Sequence, residues 1–107
     1  MIYELRTYHI PDGRMEDILD RFRTVTLRLF KKYDMDVVGF WTVDQPETDH
    51  ALIYLMRYPD EEAMEKSWAS FRADTEWIAT RERTEADGPI VNSVESKQLV
   101  ATDFSPM

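Results

Sequence analysis

Three residues near the N-terminus, Glu4, Arg6 and Tyr8, offer the clearest chemistry in the chain. They alternate, and alternating residues of a strand share one face. A carboxylate, a guanidinium and a phenol in a row can orient a polar group on a ligand or move a proton, which makes them the candidate catalytic set. A plainer reading is open for the same residues: Glu4 and Arg6 form an ion pair that satisfies itself inside an interface. A second alternating set, Tyr54, Met56 and Tyr58, would build an aromatic and thioether wall for an apolar ligand, or simply pack an interface. One of Phe40 and Trp41 joins that wall. Trp41 is assigned to it, and a one-residue slip in register reverses the choice.

The other reactive side chains are sparse. His9 and His50 are the only histidines, each near a strand end. A single imidazole can ligate haem iron, so haem is the alternative to the expectation of no cofactor. A non-haem metal site needs more convergent ligands than these, and none is expected. His50, beside Asp49, reads as a solvated loop residue. Cysteine is absent, which removes thiolate nucleophiles, thiolate metal sites and disulfides. The three glycines are scattered and build no phosphate loop. Trp68, Phe71 and Trp77 follow helical spacing and read as core or as the rim of a cavity.

These residues must be positioned by a short series of elements. Ile2 to Tyr8 is rich in β-formers, and Pro11-Asp12-Gly13 stops the strand. Asp12, or Gly13, is the expected cap of a helix from Arg14 to Tyr33. In that helix Met15, Ile18, Leu19, Phe22, Val25, Leu29, Phe30 and Tyr33 make one apolar stripe. Early acids and late bases complement its dipole. Strands follow at residues 37–43 and 51–58, joined by a hairpin loop from Asp44 to Asp49 that contains Pro46. Asp60 caps a second helix, whose spacing slips near Asp74, a candidate cap for a further helical piece. Gly88-Pro89 is a turn, residues 93–101 form a last strand and 102–107 a short tail. The order is β-α-β-β-α-β, which predicts one ferredoxin-like α+β domain over residues 1–107 with a four-stranded antiparallel sheet.

Composition excludes some functions. The formal net charge is −8, and no cationic surface suited to nucleic-acid phosphates is expected. Apolar runs are too short to span a bilayer, and the residues before the first strand carry no leader pattern. The expectation is a cytoplasmic protein that engages neither membrane nor nucleic acid.

The split βαβ plan places both helices on one face of the sheet and leaves the other open. The middle strands do not alternate apolar with polar, so they supply apolar groups to both faces. Burying even about 500 Å² of such surface is worth roughly 12 kcal/mol gross before association costs. Face-to-face pairing with a second copy is the economical outcome, unless helix or tail segments cover the face. Leu5 suits the helix side, which assigns Glu4, Arg6 and Tyr8 to the open face. A small-molecule site would then lie in the cavity between paired sheets. A dry, filled seam would instead make the protein a non-catalytic interaction module.

The stretch Ile2-Tyr3-Glu4-Leu5-Arg6-Thr7-Tyr8 resembles the opening strand of NIPSNAP domains. Val38-Gly39-Phe40-Trp41-Thr42 resembles their second strand, and Leu52 to Tyr58 followed by Pro59-Asp60 resembles the third strand and its exit. Asp74-Thr75-Glu76-Trp77 is similar to their acidic-tryptophan motif and Phe104-Ser105-Pro106 to their terminal signature, although Ala101-Thr102-Asp103 stands where a proline-rich run is usual. The resemblance implies the dimeric α/β-barrel superfamily and a homodimer of unsettled role that binds a small, partly apolar molecule. Cofactor-free monooxygenase or isomerase activity is the alternative it implies.

Overall fold

The computed structural model describes residues 1–43 and 50–107, so the predicted 44–49 hairpin loop lies outside the described residues. Four strands, β1 (Ile2–His9), β2 (Asp36–Thr42), β3 (Ala51–Tyr58) and β4 (Ser93–Leu99), form one antiparallel sheet in the order β2-β3-β1-β4. This is the ferredoxin-like arrangement expected from the element order. The last strand ends two residues earlier than predicted, and every residue in it is exposed.

The first helical segment differs from its expected form. Met15–Arg21 is α-helical (α1), Phe22–Thr26 is one π-helical turn, and Leu27–Lys32 is α-helical again (α2). Thr26 Oγ1 donates to the Arg21 carbonyl at 3.3 Å, five residues back, in keeping with the wider turn. Asp12 does not cap α1, which starts after Arg14 with no side-chain cap. Its carboxylate lies 2.9 Å from His50 Nε2 instead, so His50 is tied to the neighbouring turn as well as partly exposed. The end of α2 is closed by Asp34 in the left-handed region, φ 57°. Its N–H donates to the Lys31 carbonyl and that of Met35 to the Phe30 carbonyl, the paired bonds of a Schellman end. Met35 and Phe30 are both buried, which supplies the apolar contact that usually accompanies this motif.

Helix α3 (Glu61–Ala73) is capped by Asp60, whose Oδ1 accepts from the Ala63 N–H at 2.8 Å. Helix α4 (Thr75–Thr84) is capped by Asp74, which accepts from the Trp77 N–H at 3.0 Å. Asp74 also accepts from Lys32 Nζ at 3.0 Å and from the Tyr33 hydroxyl. One carboxylate thus starts α4 and fastens it to the end of α2. Arg28 and Glu76 pair across the same two helices.

The core lies between the sheet and the helices. Ile18, Leu29, Phe30, Tyr54, Met56, Tyr58, Trp68 and Phe71 are buried together there. Along β3 full burial alternates with partial burial, so one face is sealed and the other is not. Among the described residues, no helix is long and apolar enough to cross a membrane.

Candidate functional site

Glu4, Arg6 and Tyr8 do share one face of β1, but it is the helix side, not the open face expected from Leu5. Glu4 Oε1 accepts from Trp68 Nε1 of α3 at 2.8 Å and from the Tyr58 hydroxyl at 2.7 Å. Its Oε2 accepts from Ser96 Oγ at 2.5 Å and from Arg6 at 3.0 Å. The reason for the reversal is hydrogen-bond supply. The buried indole N–H and phenol need an acceptor inside the layer, and Leu5 has none to offer. With four donors on two oxygens, Glu4 has no vacant lone pair for a substrate proton. Burial works to raise its pKa, but the bonds from Ser96, Tyr58 and Trp68 and the Arg6 charge hold it below the ordinary value. Glu4 is therefore an anionic anchor rather than a base.

Arg6 passes this polarity onward. Its Nε donates to the Tyr54 hydroxyl at 2.8 Å, and that hydroxyl donates to Tyr8 Oη at 3.0 Å. The guanidinium also stacks over the Trp68 ring, 4.2 Å from its centroid. Burial disfavours the charge on Arg6, yet the Tyr54 and Tyr8 oxygens and Glu4 outweigh it and hold the group firmly protonated. Burial, then the neighbouring Tyr8, push the Tyr54 phenol well above its usual range despite Arg6. Burial and the bond to Glu4 raise Tyr58 as well. Both phenols are neutral donors at physiological pH, and the chain Glu4–Arg6–Tyr54 ends on the half-buried Tyr8 hydroxyl.

Tyr54, Met56 and Tyr58 lie on the same helix-side face, with Tyr54 and Met56 at 0% exposure. They are core residues that back the site rather than line an opening. Trp41 does not join them. It is 53% exposed on the opposite face, whereas the Phe40 ring lies 5.1 Å from that of Tyr54. A bulge causes this. Val37 pairs with Met56 but Gly39 pairs with Leu55, so Val38 is an extra residue and the alternation restarts one position late. The Trp41 ring then folds back over Gly39, where a Cβ would stand 3.0 Å from Cη2.

The accessible space is beside these residues. A pocket of about 320 Å³ opens between β1, β4 and the helices, at the lower end of the range for small-molecule sites. Arg6 and Tyr8 contribute its sheet side, and Trp68 and Trp77 its aromatic walls. Three further arginines line it: Arg21 of α1, Arg72 of α3 and Arg81 of α4. Sequence reasoning missed all three. For Arg21 a signal existed. It sits three residues after Ile18 and four before Val25, a cation within the apolar stripe, and it is buried. Arg72 and Arg81 sit on exposed helix positions, and nothing in their spacing distinguishes them from solvated surface charge.

The two histidines are elsewhere. His9 lies on the opposite face of β1 with Nε2 3.0 Å from Glu95, and neither it nor His50 lines the pocket. The pocket therefore supplies no imidazole of the kind that would hold haem iron. Among the described residues, no three His, Cys, Asp or Glu side chains converge on a metal-binding point.

A four-stranded antiparallel sheet with its helices on one face, and a pocket between the two layers, defines a ferredoxin-like α+β domain. The chain matches the NIPSNAP family over residues 3–106, and it belongs to that family. A NIPSNAP domain protein of Burkholderia xenovorans is 27% identical, with all of both chains covered and a TM-score of 0.85. A NIPSNAP family protein of Agrobacterium tumefaciens is 24% identical over 99% of this chain and 97% of its own, also at 0.85. A putative antibiotic biosynthesis monooxygenase of Nitrosomonas europaea shares the fold at a TM-score of 0.62 and 11% identity, covering 94% and 98% of the two chains. No curated protein matches the chain.

Proposed function

We propose that this NIPSNAP protein is a homodimer in which each copy holds a small, partly apolar molecule between its own sheet and helices. The carrying observation is the Arg6–Tyr54–Tyr8 hydrogen-bond chain ending at an aromatic-walled pocket of about 320 Å³. A concave site with aromatic walls and convergent polar groups is what a ligand requires, and the four arginines make this one predominantly polar. The cavity lies within a copy rather than between paired sheets, because Glu4, Arg6 and Tyr8 face the helices. The pairing reading is supported by the other face, where Leu5, Ile53 and Leu55 are half-buried and Trp41 is exposed. A partly apolar sheet face of this kind, which Thr7, Arg57 and Lys97 also share, is what a second copy would cover.

The cofactor-free oxygenase or isomerase reading has one observation in its favour. The Tyr8 hydroxyl is the pocket end of a donor chain backed by a permanent cation, and such a phenol can give a proton to, or take one from, a bound molecule. Two measurements test these readings together. Light scattering at micromolar concentration should give twice 12.7 kDa, and a single-copy mass would sink the dimer. Protein purified without added ligand should release a small molecule on denaturation, and Tyr8→Phe should weaken its retention. An empty pocket in wild type, together with no mass-spectrometric trace of ligand, would leave the interaction-module reading standing.

A further inference from the structure

We infer that the ligand of this pocket is a small carboxylate carrying an aromatic or comparable planar body, with its head among Arg21, Arg72 and Arg81. This rests on the pocket being a ligand site, as proposed above. The first observation is the local charge. The chain as a whole carries a net charge of −8, yet four arginines line this one hollow. Arg6 is neutralised by Glu4. Arg21 and Arg81 lean on the same oxygen, Glu85 Oε2, at 3.1 and 3.4 Å, so a single carboxylate serves two guanidiniums. Arg72 stacks over Trp68, 5.4 Å from its centroid, and has no carboxylate partner among the described residues. The pocket thus keeps about two positive charges uncompensated, in a molecule whose remaining surface is acidic.

The second observation is independent of the count. Arg21 is 95% buried, with its guanidinium 4.9 Å from the Trp77 ring centroid. One terminal nitrogen donates to Thr84 Oγ1 and Glu85 Oε2, both at 3.1 Å, while Nε has no partner at all among the described residues. A buried arginine donor without an acceptor is costly, and an ordered water or a bound ion is one explanation for it. Arg21 is also the last residue before the π-helical turn, an irregularity that recurs at functional sites.

The chemistry of the surroundings selects the anion. Guanidinium forks match carboxylate and phosphate alike, so the rest of the lining decides between them. The indoles of Trp68 and Trp77 offer faces for a flat body. No glycine-rich turn stands at the pocket to wrap a phosphate with backbone N–H groups.

The experiment is a titration of the full chain followed through its tryptophan indole N–H signals, with benzoate, the neutral isostere benzamide and inorganic phosphate as probes. Benzoate should shift the Trp68 and Trp77 signals and bind about tenfold more tightly than benzamide, as charge-assisted hydrogen bonds allow. Raising the salt concentration should weaken benzoate and leave benzamide unchanged. Arg21→Met should abolish the preference. Because a buried substitution can also unfold the chain, Arg72→Gln combined with Arg81→Gln provides a second arm on exposed positions, with a several-fold loss for benzoate alone. Equal binding of benzamide and benzoate overturns the carboxylate inference while leaving the ligand-site reading intact. Phosphate shifting the same indoles more strongly than benzoate also overturns it. Silence of both indoles towards every probe overturns the inference and the ligand-site reading together.

Discussion

The two faces of the sheet match polarity and burial in different ways. The helix side carries Glu4, Arg6, Tyr8, Tyr54 and Tyr58, a strongly polar set, and it is the sealed side. The opposite side carries the apolar Leu5, Ile53, Leu55 and Trp41 among Thr7, His9, Arg57, Glu95 and Lys97, and it is the more open one. What differs is partner supply. Each polar group on the helix side meets a complementary one from another element, so desolvation is offset bond by bond. The apolar groups on the other side need only coverage, which any surface of the right shape provides. Burial in this domain therefore follows where hydrogen-bond partners converge, not side-chain type alone.

The contrast can be broken most forcefully at Glu4. Glu4→Leu removes the acceptor of a buried indole, a phenol and a guanidinium at once, and should cost about 3–5 kcal/mol by urea denaturation, as for a buried pair stripped of one partner. A loss below about 1 kcal/mol would mean that the helix-side network adds little. On the other face, Leu55→Lys should weaken self-association by about 2 kcal/mol per copy, the value of one buried leucine, and leave the monomer's own fold intact. Sedimentation across a concentration series reads this directly, and an unchanged profile would mean that the apolar face is not the contact.

A smaller effect sharpens the comparison at its rim. Asp74→Ala should cost about 1–2 kcal/mol in thermal unfolding through loss of the α4 cap. The wild-type carboxyl is held far below its usual range, first by the Tyr33 hydroxyl, then by Lys32 and the Trp77 N–H. A depressed folded value means that its contribution is complete above about pH 4, the unfolded range, and is lost as pH falls towards the folded value. Glu4 is shifted in the same direction, so stability should fall on acidification, with a shallower slope in Asp74→Ala. Smallest of all, Asp34→Gly should raise stability by about 0.5–1 kcal/mol, because glycine occupies the left-handed helix end without the Cβ penalty. No change in melting temperature would argue that Asp34 makes a compensating contact.

Much of the architecture was legible because its signals are local. The alternation in β1, the stripe of the first helix and the capping aspartates at 60 and 74 each declare themselves within a few residues. The features that set the site are not local. A single extra residue at Val38 moves Phe40 to the core and Trp41 to the outside, a shift whose one local mark is the isolated Gly39 within the strand. The π-helical turn preserves the apolar stripe and so leaves no trace in the spacing. The facing of Glu4 is not legible from apolar Leu5, because the donors that decide it come from Tyr58, Trp68 and Ser96, far along the chain.

That dispersal has a kinetic consequence. The donors to Glu4 belong to three strands and a helix, and Ser96 lies 92 residues away in the last strand. Until β4 docks, one carboxylate oxygen must keep a water molecule where the serine will stand. Closure of the long C-terminal loop and final dehydration of the carboxylate are then a single event, late on the folding route. Pulse-labelled hydrogen exchange during refolding should find the β4 amides protected after those of β1 and β3.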